Sequence, residues 1–278
     1  MSENKQHAAQ DAASLTPAVR DAAREAGEIA NRFFREGEKT TARIWSKSGG
    51  SPVTEADVAV DAFLKIRLSS LLPEAAWLSE ETADNPIRLE NRLVWIVDPI
   101  DGTRAFLSGH RDWSVSIALL VDGRPALGIV YGPALDAFYE GRTGEGAFLN
   151  DAPITVSPAP ELRGARVAGP QPMIDVLTRE SGVMQLVPKI PSLALRIARI
   201  AAGDVDVGLV SGNARDWDIA AADLILQEAG GRLSDFAGAA PVYNRDDPVH
   251  GELLGSSHGL HPRLIEAMTT RKLQSRAV

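Results

Sequence analysis

The sequence predicts an α+β fold, and three observations carry that expectation. Two helix-patterned segments occupy the chain up to Leu72. A run of strand-like segments follows from Leu93, separated by tight turns. Helix and strand patterns then alternate beyond a seam marked by Pro158 and Pro160.

Residues 1–13 read as a loose polar tail. Thr16 followed by Pro17 predicts a helix start, after which Val19, Ala22, Ala26, Ile29 and Phe33 share one helical face and Gly37 supplies a stop. The stretch SKSGGSP (46–52) has the composition of a loop. TEADVAVDAFLKIRLSSLL (54–72) predicts a second helix, with Val58, Phe63, Ile66 and Leu71 among its buried residues. LVWIV, WSVSIALLV, ALGIVYG and DAFYEG then read as strands, mostly antiparallel, between Asp-Gly, Gly-Pro and Gly-rich turns. Beyond the seam the pattern gives a helix near 192–202, a strand at 205–210, a helix at 218–229 and a strand at 231–235. The predicted organisation is a tail (1–13), an N-terminal half (14–157) and a C-terminal half (158–278).

Composition narrows the function. The chain has 278 residues, 44% hydrophobic and 24% charged, and carries a net charge of −8 without a basic block, which argues against nucleic-acid polymers and anionic membranes as partners. The first residues lack the basic start and apolar core of a signal peptide, so a cytoplasmic location is expected. Zero cysteines exclude disulfides, thiolate metal sites and a cysteine nucleophile. The five histidines show no paired helical spacing that would hold zinc.

The chemistry concentrates in acids. In IVDPIDGTRAF (96–106), Asp98 and Asp101 end an apolar run, Pro99 stiffens the turn, and Gly102 and Thr103 open a helix. Such a segment can hold a cation with its carboxylates and an anion with the free amides of the helix start. Oxygen ligands alone select Mg²⁺, Mn²⁺ or Ca²⁺. The plain alternative is a capped strand-to-helix turn. An EF-hand fits less well because the acidic alternation is missing and Gly109 stands where the closing glutamate belongs. Further acids lie at Glu80 and Glu81 in WLSEET, at Asp218 in ARDWDIAAADLILQEAGG, and at Asp57 in SPVTEAD. Each has a bland reading: surface acids for the glutamates, a helix-start acid for Asp218, and a Thr54–Asp57 capping box.

Together, S-P-V-T-x-x-D, E-E, D-P-I-D-G-T and W-D at a helix start resemble the inositol monophosphatase superfamily of Mg²⁺-dependent, lithium-sensitive phosphatases, over about residues 20–235. The resemblance implies a layered α-β-α-β-α sandwich of the inositol monophosphatase/fructose-1,6-bisphosphatase type. It implies two or three Mg²⁺ ions held by Glu80, Asp98, the Ile100 carbonyl, Asp101 and Asp218. It implies hydrolysis of a phosphate monoester by metal-activated water, with Asp57, Glu80 and Thr103 as the catalytic group and the amides of Gly102 and Thr103 on the phosphate. Lys47 matches a basic residue of the family's loop near the site. A small phosphorylated metabolite is the implied partner and a homodimer the implied assembly. Some relatives instead act by binding RNA-processing or transcription machinery.

For the substrate, inositol-specific members carry an acid several positions before W-D, where this chain has Ser211. Asp216, immediately before W-D, resembles the CysQ-type 3'(2'),5'-bisphosphate nucleotidases, as do Arg104 in DGTRAF and Arg196 in SLALRIA. That likeness implies adenosine 3',5'-bisphosphate as substrate, with inositol 1-phosphate, histidinol phosphate and fructose 1,6-bisphosphate as alternatives.

Overall fold

The first helical pattern extends further than its capping signal. In the computed structural model, which describes residues 3–46, 52–159 and 161–274, helix α1 spans Glu3–Asn31 with Pro17 inside it. Alanine- and glutamine-rich sequence upstream of Thr16 favours helix, so α1 begins well before that threonine and takes in much of the expected tail. Val19, Ala22, Ala23, Ala26 and Ala30 are fully buried along it. Helix α2 (Glu55–Leu71) is rotated from the expected face: Val58 and Ile66 are 45% and 75% exposed, and Val60, Leu64 and Leu68 are buried instead. Its inner side also carries Asp57 and Asp61. Thr54 donates to Asp57, and Ser79 and Thr82 donate to Asp61, so both acids are satisfied inside. A count of apolar residues picks the wrong face because two carboxylates have buried work to do.

A two-stranded antiparallel ribbon, β1 (Ile44–Ser46) and β2 (Pro52–Thr54), precedes α2. Seven strands then form one sheet in chain order: β3 (Ala76–Ser79), β4 (Leu93–Asp101), β5 (Ser114–Val121), β6 (Arg124–Gly132), β7 (Ala137–Arg142), β8 (Gly146–Leu149) and β9 (Ala152–Ile154). β3 runs parallel to β4, and every later pair is antiparallel. Side chains alternate across it. Trp95, Val97, Val115, Ile117, Leu119 and Ile129 pack against α1 and α2, while Val94, Ile96, Ala118, Leu120 and Val130 face the opposite way. Burial on both faces accounts for the nearly unbroken apolar runs.

Short α3 (Thr103–Leu107) follows β4. The rest of the chain supplies α4 (Gln171–Ser181), α5 (Leu193–Ala201), α6 (Asp216–Glu228) and α7 (His261–Gln274). A second sheet is ordered β11-β10-β12-β16-β14, from β10 (Arg166–Ala168), β11 (Gln185–Leu186), β12 (Val207–Val210), β14 (Gly231–Ser234) and β16 (Leu253–Ser257). β13 (Ala214–Arg215) pairs antiparallel with β15 (Val249–His250). Residues of α5 and α6 share one core with the seven-stranded sheet and with Val210, Leu233 and Leu253 of the second sheet. On that sheet's far face, Val167, Val207, Leu209 and Leu254 cluster with Met173 and Leu177 of α4 and Leu264 of α7. The stacking is therefore helices, sheet, helices, sheet, helices, and the α-β-α-β-α expectation holds. The sheets occupy residues 76–154 and 166–257, on either side of Pro158; Pro160 lies outside the described residues. No helix among the described residues is long and apolar enough to cross a membrane.

The middle layer sits unusually close to the first sheet. A Cβ added to Gly128 of β6 would lie 2.5 Å from the Ala221 carbonyl oxygen, and one on Gly141 of β7 would lie 2.9 Å from Ile225 Cα. The glycines and the alanine run at 220–222 let α6 touch the strands directly. That contact sets where the first turn of α6, with Asp218, meets the end of β4.

Candidate active site

Residues three apart on a regular strand point to opposite faces. Asp98 and Asp101 escape that rule because the register slips between them. Asp98 pairs with Ser116 and Asp101 with Ser114, so three steps along β4 match two along β5. The extra residue returns both carboxylates to the α5/α6 side. Asp98 Oδ1 accepts the Ile100 N–H at 3.0 Å, and the Thr103 hydroxyl donates to the Ile100 carbonyl at 3.2 Å. Gly102 caps α3 at φ +89°, and a Cβ there would lie 3.1 Å from the Asp112 carbonyl oxygen. Only glycine fits that corner without strain.

The two facing serines of β5 carry the rest of the site. Ser114 shares a 3.0 Å hydrogen bond with Ser192, the N-cap of α5. Ser192 and the Ala194 N–H both donate to Asp101 Oδ2, the latter at 2.7 Å, so Asp101 is seated on the positive end of α5. Ser116 donates to the Trp217 carbonyl at 3.2 Å and so fixes the first turn of α6. There Asp218 accepts the Arg215 N–H at 2.7 Å, as a capping residue does. The carboxylates of Asp98, Asp101 and Asp218 offer oxygens that all lie within 4.8 Å of one another. Glu80 is outside that trio but next to it. β3 pairs Ser79 with Val97, and the Glu80 N–H reaches the Val97 carbonyl at 3.3 Å, so Glu80 comes level with Asp98.

Charge at this spot is under-compensated. Burial, then Glu80, Asp101 and Asp218, push Asp98 well above the usual carboxylate range. Burial and Asp101 push Asp218 up to about 8. Burial lifts Asp101 to about 6 against the pull of its Ser192 and Ala194 bonds. Asp57 is likewise lifted to about 6 by burial, with Glu80 adding to it and the Thr54 bonds opposing. Acids gathered this closely, and facing several hard oxygens, fit a divalent cation.

Asp57 forms the capping box with Thr54 and lies close enough to Glu80 and Asp98 for the charges to act on one another. The remaining expected residues lie as follows. Asp216 is fully buried: His250 Nε2 lies 2.7 Å from its Oδ1 and the Asn244 N–H donates to its Oδ2 at 2.8 Å. It is an anchor for α6, which corrects the expected substrate contact. Arg196 is half-buried and close enough to Asp101 to sense its charge. Its guanidinium donates to the Ile190 and Leu209 carbonyls, turning into the protein to satisfy backbone left open at the α5 layer. Arg104 and Ser211 are exposed. Lys47 lies outside the described residues. Sequence reasoning missed Asp61 and Ser192. The Pro-Ser step before an apolar helix does mark Ser192 as a cap, yet nothing local tells which carboxylate it meets.

A match to the inositol monophosphatase family runs over residues 11–273. The chain belongs to the inositol monophosphatase family. These are phosphatases that hydrolyse phosphate monoesters, and the chain is an enzyme of that class. Inositol monophosphatase 1 of Solanum lycopersicum is 34% identical over 231 residues, 79% of this chain and 83% of the relative. The Nus factor SuhB of Salmonella typhimurium is 30% identical over 263 residues, 91% of this chain and 93% of the relative. The crystal structure of the extragenic suppressor protein suhB from Bartonella henselae superposes with a TM-score of 0.81 at 27% identity, covering 92% of this chain and 98% of that one.

Proposed function

We propose that Asp98, Asp101 and Asp218, with Glu80 and the Ile100 carbonyl, hold Mg²⁺ ions and that the chain hydrolyses an inositol monophosphate or a closely similar polyol phosphate. The approach of three carboxylates within 4.8 Å carries the metal reading. When bound, Mg²⁺ supplies charge stabilisation for an in-line displacement and a more acidic water. The residues do the rest. The N–H groups at the Gly102–Thr103 helix start donate to phosphate oxygens. Thr103 Oγ1 exchanges its bond to the Ile100 carbonyl for one to the attacking water. Asp57, raised by burial and by the nearby charge of Glu80, receives the proton.

The polyol reading draws on the names of the relatives and on the loss of one nucleotide-like feature, since Asp216 is committed to the interior. Arg104, exposed one residue beyond Thr103, favours a second reading, a bisphosphate nucleotidase whose second phosphate would meet that guanidinium. A homodimer in the cytoplasm belongs to the same proposal.

A phosphate-release panel separates these readings. It compares inositol 1-phosphate, adenosine 3',5'-bisphosphate, histidinol phosphate and fructose 1,6-bisphosphate, each with Mg²⁺ and with EDTA. We expect EDTA to abolish release and inositol 1-phosphate to lead in kcat/KM by about tenfold or more. Leadership by the adenosine compound, lost in Arg104→Ala, would transfer the assignment to the nucleotidase. Release that survives EDTA would refute the metal site.

A further inference from the structure

We infer that Arg88, buried in a 3₁₀ turn, is the positioning residue that holds the Glu80 loop and the Asp218 helix at a fixed separation and so sets the affinity of the site for divalent cations. The inference rests on the metal reading above. Arg88 lies in the 3₁₀ turn Pro86–Glu90, is 1% exposed, and spends all five guanidinium N–H groups. Nε and Nη2 donate to the two oxygens of Asp84 at 2.7 and 2.8 Å, on the loop that descends from Glu80. Nη1 donates to Asn244 Oδ1 at 2.8 Å and to the Arg245 carbonyl at 3.0 Å, and Nη2 also reaches the Asp246 carbonyl at 3.3 Å.

Asn244 completes the link. Its Nδ2 donates back to the Arg88 carbonyl at 2.9 Å, and its backbone N–H donates to Asp216 Oδ2 at 2.8 Å. Asp216 opens α6 two residues before Asp218, and His250 holds its other oxygen. One continuous set of bonds therefore runs from Asp84 through Arg88 and Asn244 to Asp216. It ties together the segments that carry two metal-facing acids from opposite halves of the chain, Glu80 four residues before Asp84 and Asp218 two residues after Asp216. A buried guanidinium is costly unless every donor is met, and here every donor is spent on this one junction. A planar fork suits that task, whereas a lysine reaches one or two of the acceptors.

Two variants test it. Arg88→Lys keeps the charge and removes the fork. Asn244→Gly cuts the side-chain link and leaves the backbone bond to Asp216; φ at Asn244 is +57°, a conformation glycine adopts without strain. Mn²⁺ affinity is measured by calorimetric titration of the metal-free proteins, with circular dichroism for the fold and phosphate release at rising Mg²⁺. For Asn244→Gly we expect native ellipticity, a Kd for Mn²⁺ weakened by about tenfold or more, and activity that recovers as Mg²⁺ is raised. Arg88→Lys is expected to move the same way and further. A folded Asn244→Gly protein whose Kd stays within about twofold of the parent overturns the inference, because a purely structural role lowers stability without changing the affinity of the folded site. If the parent itself binds no Mn²⁺, the metal reading fails instead.

Discussion

Asp98→Asn lowers kcat by on the order of 10³-fold or more and, in EDTA at about pH 8, leaves the protein at least as stable as the parent. The two halves of this expectation have one cause. Asp98 is buried among Glu80, Asp101 and Asp218, and their charges raise the cost of ionising it. With a cation present, the Asp98 carboxylate contributes charge that an amide cannot replace. Without one, the same carboxylate is a repulsive member of an acidic cluster, and the neutral amide relieves it. Loss of activity through misfolding would lower both quantities together. Steady-state phosphate release with Mg²⁺, and thermal unfolding with EDTA, separate the two. Turnover near the parent level would remove Asp98 from the site.

The metal-free protein loses stability as pH rises from about 4 to about 8, and Mg²⁺ restores it, with a change in Tm on the order of 10 °C at the upper end. Burial raises the carboxylates of Asp57 and Asp101 to about 6 and that of Asp218 to about 8, and raises Asp98 as well. In the unfolded chain each ionises near 4. The folded state therefore binds protons more tightly than the unfolded one. Its advantage is complete below about pH 4 and is lost as the pH climbs through the folded-state values. Ordinary acid denaturation has the opposite sign. Mg²⁺ needs the ionised carboxylates, so its effect grows across the same interval. Thermal melts with EDTA and with Mg²⁺, from pH 4 to 9, give both curves. Parallel curves would mean that the acids and the cation are not linked.

Much of this was legible in the sequence for identifiable reasons. The strands at 93–97 and 113–121 are buried on both faces, so their apolar runs read without ambiguity, and α6 announces itself by an apolar, alanine-rich pattern. The acids Asp98, Asp101 and Asp218 could be named because each stands at an element boundary. Their convergence could not be derived from local pattern alone. It depends on the slipped register opposite Ser114 and Ser116, and on contacts such as Ser192 to Asp101 that span 91 residues. The rotated face of α2 was hidden because Asp57 and Asp61 look like surface acids until Thr54, Ser79 and Thr82 are brought to them. Asp216 misled for the same reason: its two partners, His250 and Asn244, lie in a distant loop and ribbon.

The most direct measurement is anomalous diffraction from crystals grown with Mn²⁺ and phosphate. The account predicts peaks in coordinating contact with Asp98, Asp101 and Asp218, at least one of them also touching Glu80 or the Ile100 carbonyl, and phosphate beside Gly102 and Thr103. Well-ordered crystals with Mn²⁺ bound elsewhere and these four side chains free of it would contradict the account.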